Sequence, residues 1–315
     1  MRWGLLGTGS ICNQFARDLP HVPGAICAAV ASRDSGRAAQ FASRYGIQKS
    51  FGDYADLFAD PNIDIVYVGT PHSEHLANAR DAMRAGKHVL CEKPLTVFPD
   101  ETRALIEIQQ ETGQYLMEAM WTWFLPAIEQ AQAWVAEGRI GALRHIKADF
   151  GYPQVFDAKS RVYNPDLAGG CLLDMGVYPV ALAWLFHKQM PTNIQVAGKR
   201  APSGVDDDFS AILEYDDHIA TIGSSFRCKL QNSAYIIGRE GYIAIPDFWR
   251  ATEAMLFEFD KQVEHFKDER AHLGFAYEAI AVQQDIHAAK LQSNMVSVAD
   301  SLAIQEIMAT IRTRI

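Results

Sequence analysis

Short apolar runs separated by stretches of helical period organise the first 120 residues. "WGLLG", "ICAAVAS", "DIVYVGT", "KHVLCE" and "YLMEAM" read as strands. Between them, helix-like patterning covers Ser10–Asp18, Ser35–Tyr45, 74–85 and 100–112, the last opening on a proline and an acid as helix starts prefer. Each intervening segment is long enough to cross over between parallel strands, so residues 1–120 are expected to form a doubly wound α/β domain. After one more helix, in "AIEQAQAWVAEGRI", the texture changes. "LRHIKADFGY", "DDFSAILEY", "HIATIGSSF" and "YIIGREGYIAI" alternate like strands joined by tight turns, which predicts an open, mainly antiparallel sheet. Residues 275–315 are helical again, with Ile280, Ile286, Leu291, Val298, Leu302 and Ile307 placed to pack back onto the body. The expected fold is therefore α/β, with a second α/β domain over 121–315 whose C-terminal helices can return to the first.

Composition narrows the function. A chain of 315 residues suits two domains, and 49% apolar with 21% charged residues is an ordinary soluble balance. The apolar runs read from the sequence fall short of the roughly 20 residues of a membrane span. A formal charge of -9 without any basic block argues against nucleic acid or anionic membrane as partner and favours a small molecule. The five cysteines (Cys12, Cys27, Cys91, Cys171, Cys228) are scattered and form no C-x-x-C pair, so reduced thiols in a cytoplasmic protein are expected. "MRWGLLGTGS" runs straight into the first strand, so export is not expected.

Candidate chemistry begins in "GLLGTGSIC". Gly7 and Gly9 follow the first strand, and a helix starting near Ser10 and Ile11 aims its N-terminal amides where a pyrophosphate would lie. Cys12 stands at the third position of the G-x-G-x-x-G pattern, where a small residue permits close helix-to-strand packing. This strand, turn and helix predicts a Rossmann dinucleotide-binding domain. Beyond the second strand stand Ser32 and Arg33, where NAD enzymes usually present an acid to the ribose. A hydroxyl and a guanidinium suit a 2′-phosphate, so NADP(H) is expected in preference to NAD(H). The competing reading makes Arg33 a solvated cation and Asp34 the ribose acid. His72 and His75 in "TPHSEH" lack an acid or cysteine to complete a ligand set, so no metal is expected.

Lys93, in "LCEKP", ends a parallel strand and so points into the crevice where open α/β sheets bind ligands. Taken together, "GLLGTGSIC", "TPHSEH", "AGKHVLCEKPLTV" and "GGCLLDMGVYPV" resemble the Gfo/Idh/MocA family of NAD(P)-dependent oxidoreductases. Within it, "YLMEAMWTWFLPA" looks most like the branch of dimeric dihydrodiol dehydrogenases and NADP-linked xylose dehydrogenases. The resemblance implies that Lys93 holds the substrate oxygen, that Pro94 follows it in a cis linkage, and that Glu92 orients the lysine and the nicotinamide edge. It also places Thr70, Pro71, His72 and His75 at the cofactor. Where many members have Asp-x-x-x-His, this chain has Asp174 and Tyr178, so tyrosine becomes the implied proton donor. The chemistry is coherent, because hydride transfer to a carbonyl builds negative charge on oxygen that a positioned donor must meet. A nearby ammonium helps a phenol, whose ordinary pKa is near 10, to exchange its proton.

The activity implied is hydride transfer between NADP(H) and a secondary alcohol or carbonyl of a sugar or cyclic diol. The alternatives are a non-catalytic NADP-binding sensor on the same scaffold, or a reductase for another polyol or dicarbonyl. Trp121 and Phe124 in "MWTWFLP" are chosen for the substrate pocket. Asp206, Asp207 and Asp208 read as a solvated turn before a strand. A homodimer is expected through an outer sheet face bearing Ile236, Ile243 and Ile245.

Overall fold

The computed structural model describes residues 1–315, which divide into two compact units: Met1–Trp121 with Ala271–Leu302, and Thr122–Arg270 with Ala303–Ile315. The first unit carries β1 (Arg2–Leu6), α1 (Ser10–Asp18), β2 (Ile26–Ala31), α2 (Ser35–Tyr45), β3 (Lys49–Phe51) and α3 (Tyr54–Ala59). It continues with β4 (Ile65–Val68), α4 (His75–Arg84), β5 (His88–Glu92), α5 (Pro99–Thr112) and β6 (Leu116–Ala119). All six strands are parallel, in the order β3-β2-β1-β4-β5-β6. Strand order reverses at β1, which pairs with both β2 and β4, and this is where doubly wound sheets open a ligand crevice. β4 and β6 are buried along their whole length, β4 as an unbroken apolar run and β6 with only Glu118 polar, because helices cover both faces.

Two elements of this unit escape a reading by period. β3 is three residues long and not buried, and α3 has six residues held at its start by the Asp53 carboxylate, which accepts the Ala55 amide at 2.9 Å. Both are too short for a repeat to register.

The second unit adds α6 (Pro126–Ala136), β7 (Leu143–Gly151), α7 (Val177–His187) and β8 (Asn193–Arg200). β9 (Asp206–Glu214), β10 (Ile219–Ser225), β11 (Ala234–Gly238), β12 (Gly241–Ile245), β13 (Glu253–Glu258) and β14 (Lys261–Lys267) follow. Helix α8 (Phe275–His287) belongs to the first unit, and α9 (Val298–Arg314) runs from the first unit into the second. The sheet order is β14-β13-β12-β11-β7-β10-β9-β8. It is mixed rather than a chain of hairpins, since β10 lies parallel to β7 while the other neighbours are antiparallel.

α6 covers the β12–β13 end of one sheet face and α7 covers β7 and β10. Ile236, Ile243 and Ile245 are fully buried, so the expectation that they form an outer face is wrong. Alternation along a strand gives two faces but does not say which is outward. The open face carries the opposite parity: Ile212 and Ile219, each 38% exposed, with Tyr235, Tyr242 and Phe257 partly exposed. The acid run is corrected too. Asp206 to Asp208 open strand β9, and Asp206 and Asp207 are buried. The stretch Pro165–His187 is long and apolar enough by composition to cross a membrane, but most of it is buried as the core helical segment of this unit.

Candidate active site

The nucleotide end of the first unit is built around the β1–α1 turn. Gly7 has φ +111°, and a Cβ there would lie 2.9 Å from the Gly69 carbonyl oxygen, so only glycine fits. A Cβ on Gly9, the residue before α1, would meet nothing within 4 Å, which leaves open space directly before the N-terminal amides. Ser10 and Ile11 form the first turn of the helix. This open turn at a helix N-terminus fits the pyrophosphate of a dinucleotide. Cys12 is fully buried, and its Sγ faces the carbonyls of Leu6 at 3.7 Å and Gly69 at 3.6 Å. A side chain at position 69 would overlap that sulfur, so the room usually made by a small third residue of the motif is made here by Gly69 after β4. Burial, with Glu92 nearby, pushes the Cys12 thiol far up, so it is a packing group and not a nucleophile.

After β2, Ser32 is buried and its Oγ accepts the Asp34 amide at 3.3 Å. Asp34 caps α2 by accepting the Arg37 amide at 3.0 Å and pairs with the Arg37 guanidinium at 3.6 Å, so this acid is occupied in holding the helix. Arg33 is exposed close to Tyr54.

After β4, Thr70 receives the Asn78 amide on its Oγ1 at 3.0 Å, and Pro71 leads into a single turn starting at the buried His72. His75 has no exposed surface. Its ring nitrogens face two backbone carbonyls, Pro94 O at 2.8 Å and Thr70 O at 3.0 Å. The residue expected beside the cofactor is thus a tie between the loop after β4 and the loop after β5.

That second loop carries Lys93. The Lys93–Pro94 peptide is cis, the Lys93 amide donates to Glu92 Oε2 at 3.2 Å, and the Leu95 amide donates to Glu118 Oε1 at 2.8 Å. Glu92 Oε1 accepts the phenol of Tyr67 at 2.5 Å. Burial raises the Glu92 pKa, against the pull of the Lys93 ammonium and the Tyr67 hydrogen bond. Lys93 itself is partly buried.

In the second unit, residues Leu172–Gly176 form a π-helical turn that runs into α7. Such turns recur at functional sites. Asp174 lies in the turn and Tyr178 in the first turn of α7. The turn is pinned by Asp206, whose Oδ2 accepts the Leu172 amide at 2.6 Å and the Cys171 thiol at 3.3 Å. Gly170 explains the glycine pair: φ is +121° and a Cβ would overlap the Asp206 carboxylate. Asp174 Oδ1 receives Arg161 from the loop 152–169 at 2.8 Å. Tyr178 is nearly buried, edge-on to Phe150 at 5.5 Å and near Trp249 at 6.1 Å, while Phe150 and Trp249 stack at 4.8 Å.

Residues 1–120 match the oxidoreductase family with an NAD-binding Rossmann fold, and residues 128–244 match its C-terminal domain. The chain belongs to the Gfo/Idh/MocA family. It is an oxidoreductase of that family, of the NAD(P)-dependent dehydrogenase and reductase type. The trans-1,2-dihydrobenzene-1,2-diol dehydrogenase of Mus musculus is 35% identical across 100% of this chain and 97% of the mouse protein. The 3-ketoreductase KijD10 from Actinomadura kijaniata, solved with NADP and TDP-benzene, has TM-score 0.87 and 28% identity over 99% of this chain and 97% of its own. An aldose-aldose oxidoreductase from Caulobacter crescentus shares the fold, with TM-score 0.91 at 22% identity over 100% of this chain and 97% of its own.

In this Gfo/Idh/MocA chain, the two aromatics expected in the pocket are packed away. Trp121 is 3% exposed and stacks on Phe275 at 4.4 Å, and Phe124 is also buried. Trp249 instead supplies the partly exposed ring beside Tyr178. Four further residues bear on the two candidate regions: Tyr67 in the first unit, and Arg161, Asp206 and Trp249 in the second. Tyr67 and Asp206 leave one local mark, a polar group inside an apolar strand or at its first residue. Arg161 and Trp249 leave none, because their roles depend on partners far along the chain.

Proposed function

We propose that this oxidoreductase moves hydride between NADP(H) and a secondary alcohol or carbonyl on a cyclic diol or sugar. The observation that carries the reading is the setting of Lys93, a partly buried lysine directly after β5 on a backbone held by the Glu92 carboxylate and by the His75–Pro94 contact. The nicotinamide, when bound, supplies or accepts the hydride. Lys93 holds the reacting oxygen and stabilises charge on it, and Tyr178 gives or takes its proton. Asp174, kept in place by Arg161, orients a neighbouring substrate hydroxyl. Trp249, stacked on the buried Phe150, offers a ring face to a cyclic substrate. Full-length likeness to the mouse dihydrobenzenediol dehydrogenase supports a diol, and free cysteines throughout suit a reduced, cytoplasmic setting. The test is nicotinamide absorbance with NADP⁺ against a panel of trans-diols and aldoses. Turnover on a member of either class is expected, and binding of NADP⁺ without turnover on any of them would leave a sensor instead.

Cofactor preference rests on the exposed Arg33 and on the occupation of Asp34 in capping α2 and pairing with Arg37. NADP is expected to bind more tightly than NAD, and Arg33→Ala to remove most of the difference. Fluorescence titration of both cofactors checks this, and equal affinities in the parent protein would refute it.

We also propose a homodimer through the open sheet face. That face bears Ile212, Ile219, Tyr235 and the stacked pair Tyr242 and Phe257 (4.5 Å), next to a groove of about 530 Å³ that includes Ile212 and Thr221. An apolar surface of this kind gains by being covered. Sedimentation at micromolar protein is expected to show a dimer that Ile212→Asp weakens. A monomer throughout would end the idea.

A further inference from the structure

Resting on the reading of Lys93 as the holder of the substrate oxygen, we infer that Tyr67 is a positioning residue for the reaction. Its phenol locks the Glu92 carboxylate that frames Lys93, and its ring ties that lock to the helix at the cofactor's phosphates. Tyr67 is fully buried in β4 and pairs in register with Leu90 of β5, which places Glu92 diagonally within reach on the same sheet face. The two carboxylate oxygens of Glu92 have separate tasks. Oε1 takes the Tyr67 hydroxyl at 2.5 Å and Oε2 takes the Lys93 amide at 3.2 Å, so the plane of the carboxylate is set from both sides. The Tyr67 ring stacks on Phe15 of α1, centroids 3.9 Å apart and 9° from parallel, and Phe15 in turn meets Trp3 at 5.4 Å. Phenylalanine would fill that slot equally well. The hydroxyl therefore answers to Glu92 and not to packing, since a buried hydroxyl without a partner would be costly.

The titratable groups around Glu92 are Lys93 and Cys91 beside it, Tyr67 from β4, Glu118 from β6, Cys12 from α1 and Glu278 from α8. Cys12, Cys91 and Tyr67 all have raised pKa values and stay protonated near neutrality, and burial also raises Glu118 and Glu278. The Lys93 ammonium and the Tyr67 phenol are thus the chief side-chain groups opposing the protonation of Glu92 by burial. Without the phenol, Glu92 takes up its proton at a higher pH.

Tyr67→Phe tests this. The expected result is kcat lowered about 10- to 100-fold at neutral pH, with the acid limb of the kcat profile moved up by about one to two pH units, the span of a hydrogen bond to a charged group. The NADP(H) dissociation constant should stay within about twofold. The midpoint of the Glu92 carboxyl resonance, followed by ¹³C NMR in the cofactor-free protein and assigned with Glu92→Gln, should rise by the same interval. Glu92→Gln should itself lose the acid limb, and the double variant should be no slower than Glu92→Gln alone. An unchanged Glu92 midpoint overturns the inference, whether turnover is kept or falls evenly at every pH. Lys93→Met, measured alongside, separates the two levels. If it keeps turnover, the reading of Lys93 fails and the inference with it; if it is inactive while Tyr67→Phe behaves as wild type, the inference alone fails.

Discussion

Lys93→Met is expected to lower kcat by about 10²- to 10⁴-fold, the usual span for a positioned proton-transfer system. The affinity for NADP(H) should change little. The turn proposed to cradle the phosphates, Gly7, Gly9 and the first amides of α1, follows β1, whereas Lys93 follows β5. Methionine keeps the length and apolar stem of lysine and removes only the charge, so the loss reads as missing stabilisation of the substrate oxygen. Tyr178→Phe should fall in the same range while its edge contact with Phe150 persists. If ammonium and phenol act on one oxygen, the double variant is little worse than either single one, because groups that work as a unit do not add. Losses that multiply would assign the two residues to separate steps. Near-normal turnover of Tyr178→Phe would make that ring a packing residue and shift the proton donor to Lys93 itself.

Glu278→Gln is expected to stabilise the protein, increasingly so as pH rises. Glu278 in α8 is fully buried and neither carboxylate oxygen has a hydrogen-bond partner. Burial holds its pKa well above the ordinary carboxylate value, with the charges of Glu92 and Asp18 adding to the effect. The folded state therefore binds this proton more tightly than the unfolded chain does. For an acid so raised, the stabilising contribution is complete below the unfolded value, about 4.3, and is lost as pH climbs from there to the folded value, by about 1.4 kcal/mol per pH unit. Glutamine has the same shape and cannot ionise, so it escapes the loss. Melting temperatures of the two proteins should nearly coincide near pH 4 and separate by several degrees at pH 8. A difference of equal size at both pH values would show that the substitution acts through packing and not through the proton.

Much of the first unit was legible because its signals are local. A parallel strand covered on both faces is an apolar run, a helix repeats every 3.6 residues, and a phosphate-binding turn needs glycines next to each other in sequence. The same locality marked Lys93, a charged residue directly after such a run, at the strand end where doubly wound sheets open to ligands. The aromatic choices show the complementary limit. "MWTWFLP" advertises rings without saying which are covered, and Trp121 proved to be stacked on Phe275, about half the chain away in sequence.

By itself, then, the sequence determined the doubly wound first unit, the glycine turn at Gly7 and Gly9, the strand end after which Lys93 stands, and the placing of Asp174 and Tyr178 on one continuous helical stretch. The tertiary structure decided what those residues lean on. Tyr67 reaches Glu92 only because β4 and β5 are neighbours, Asp206 pins the turn of Asp174 from the start of another strand, and Arg161 comes to Asp174 from a loop of no regular period. It also decided the inward side of Ile236, Ile243 and Ile245 and the parallel match of β10 with β7. A period of two marks alternation but carries no label for inside, and strand pairing is settled by which surfaces bury one another, a property of the folded chain and not of any window along it.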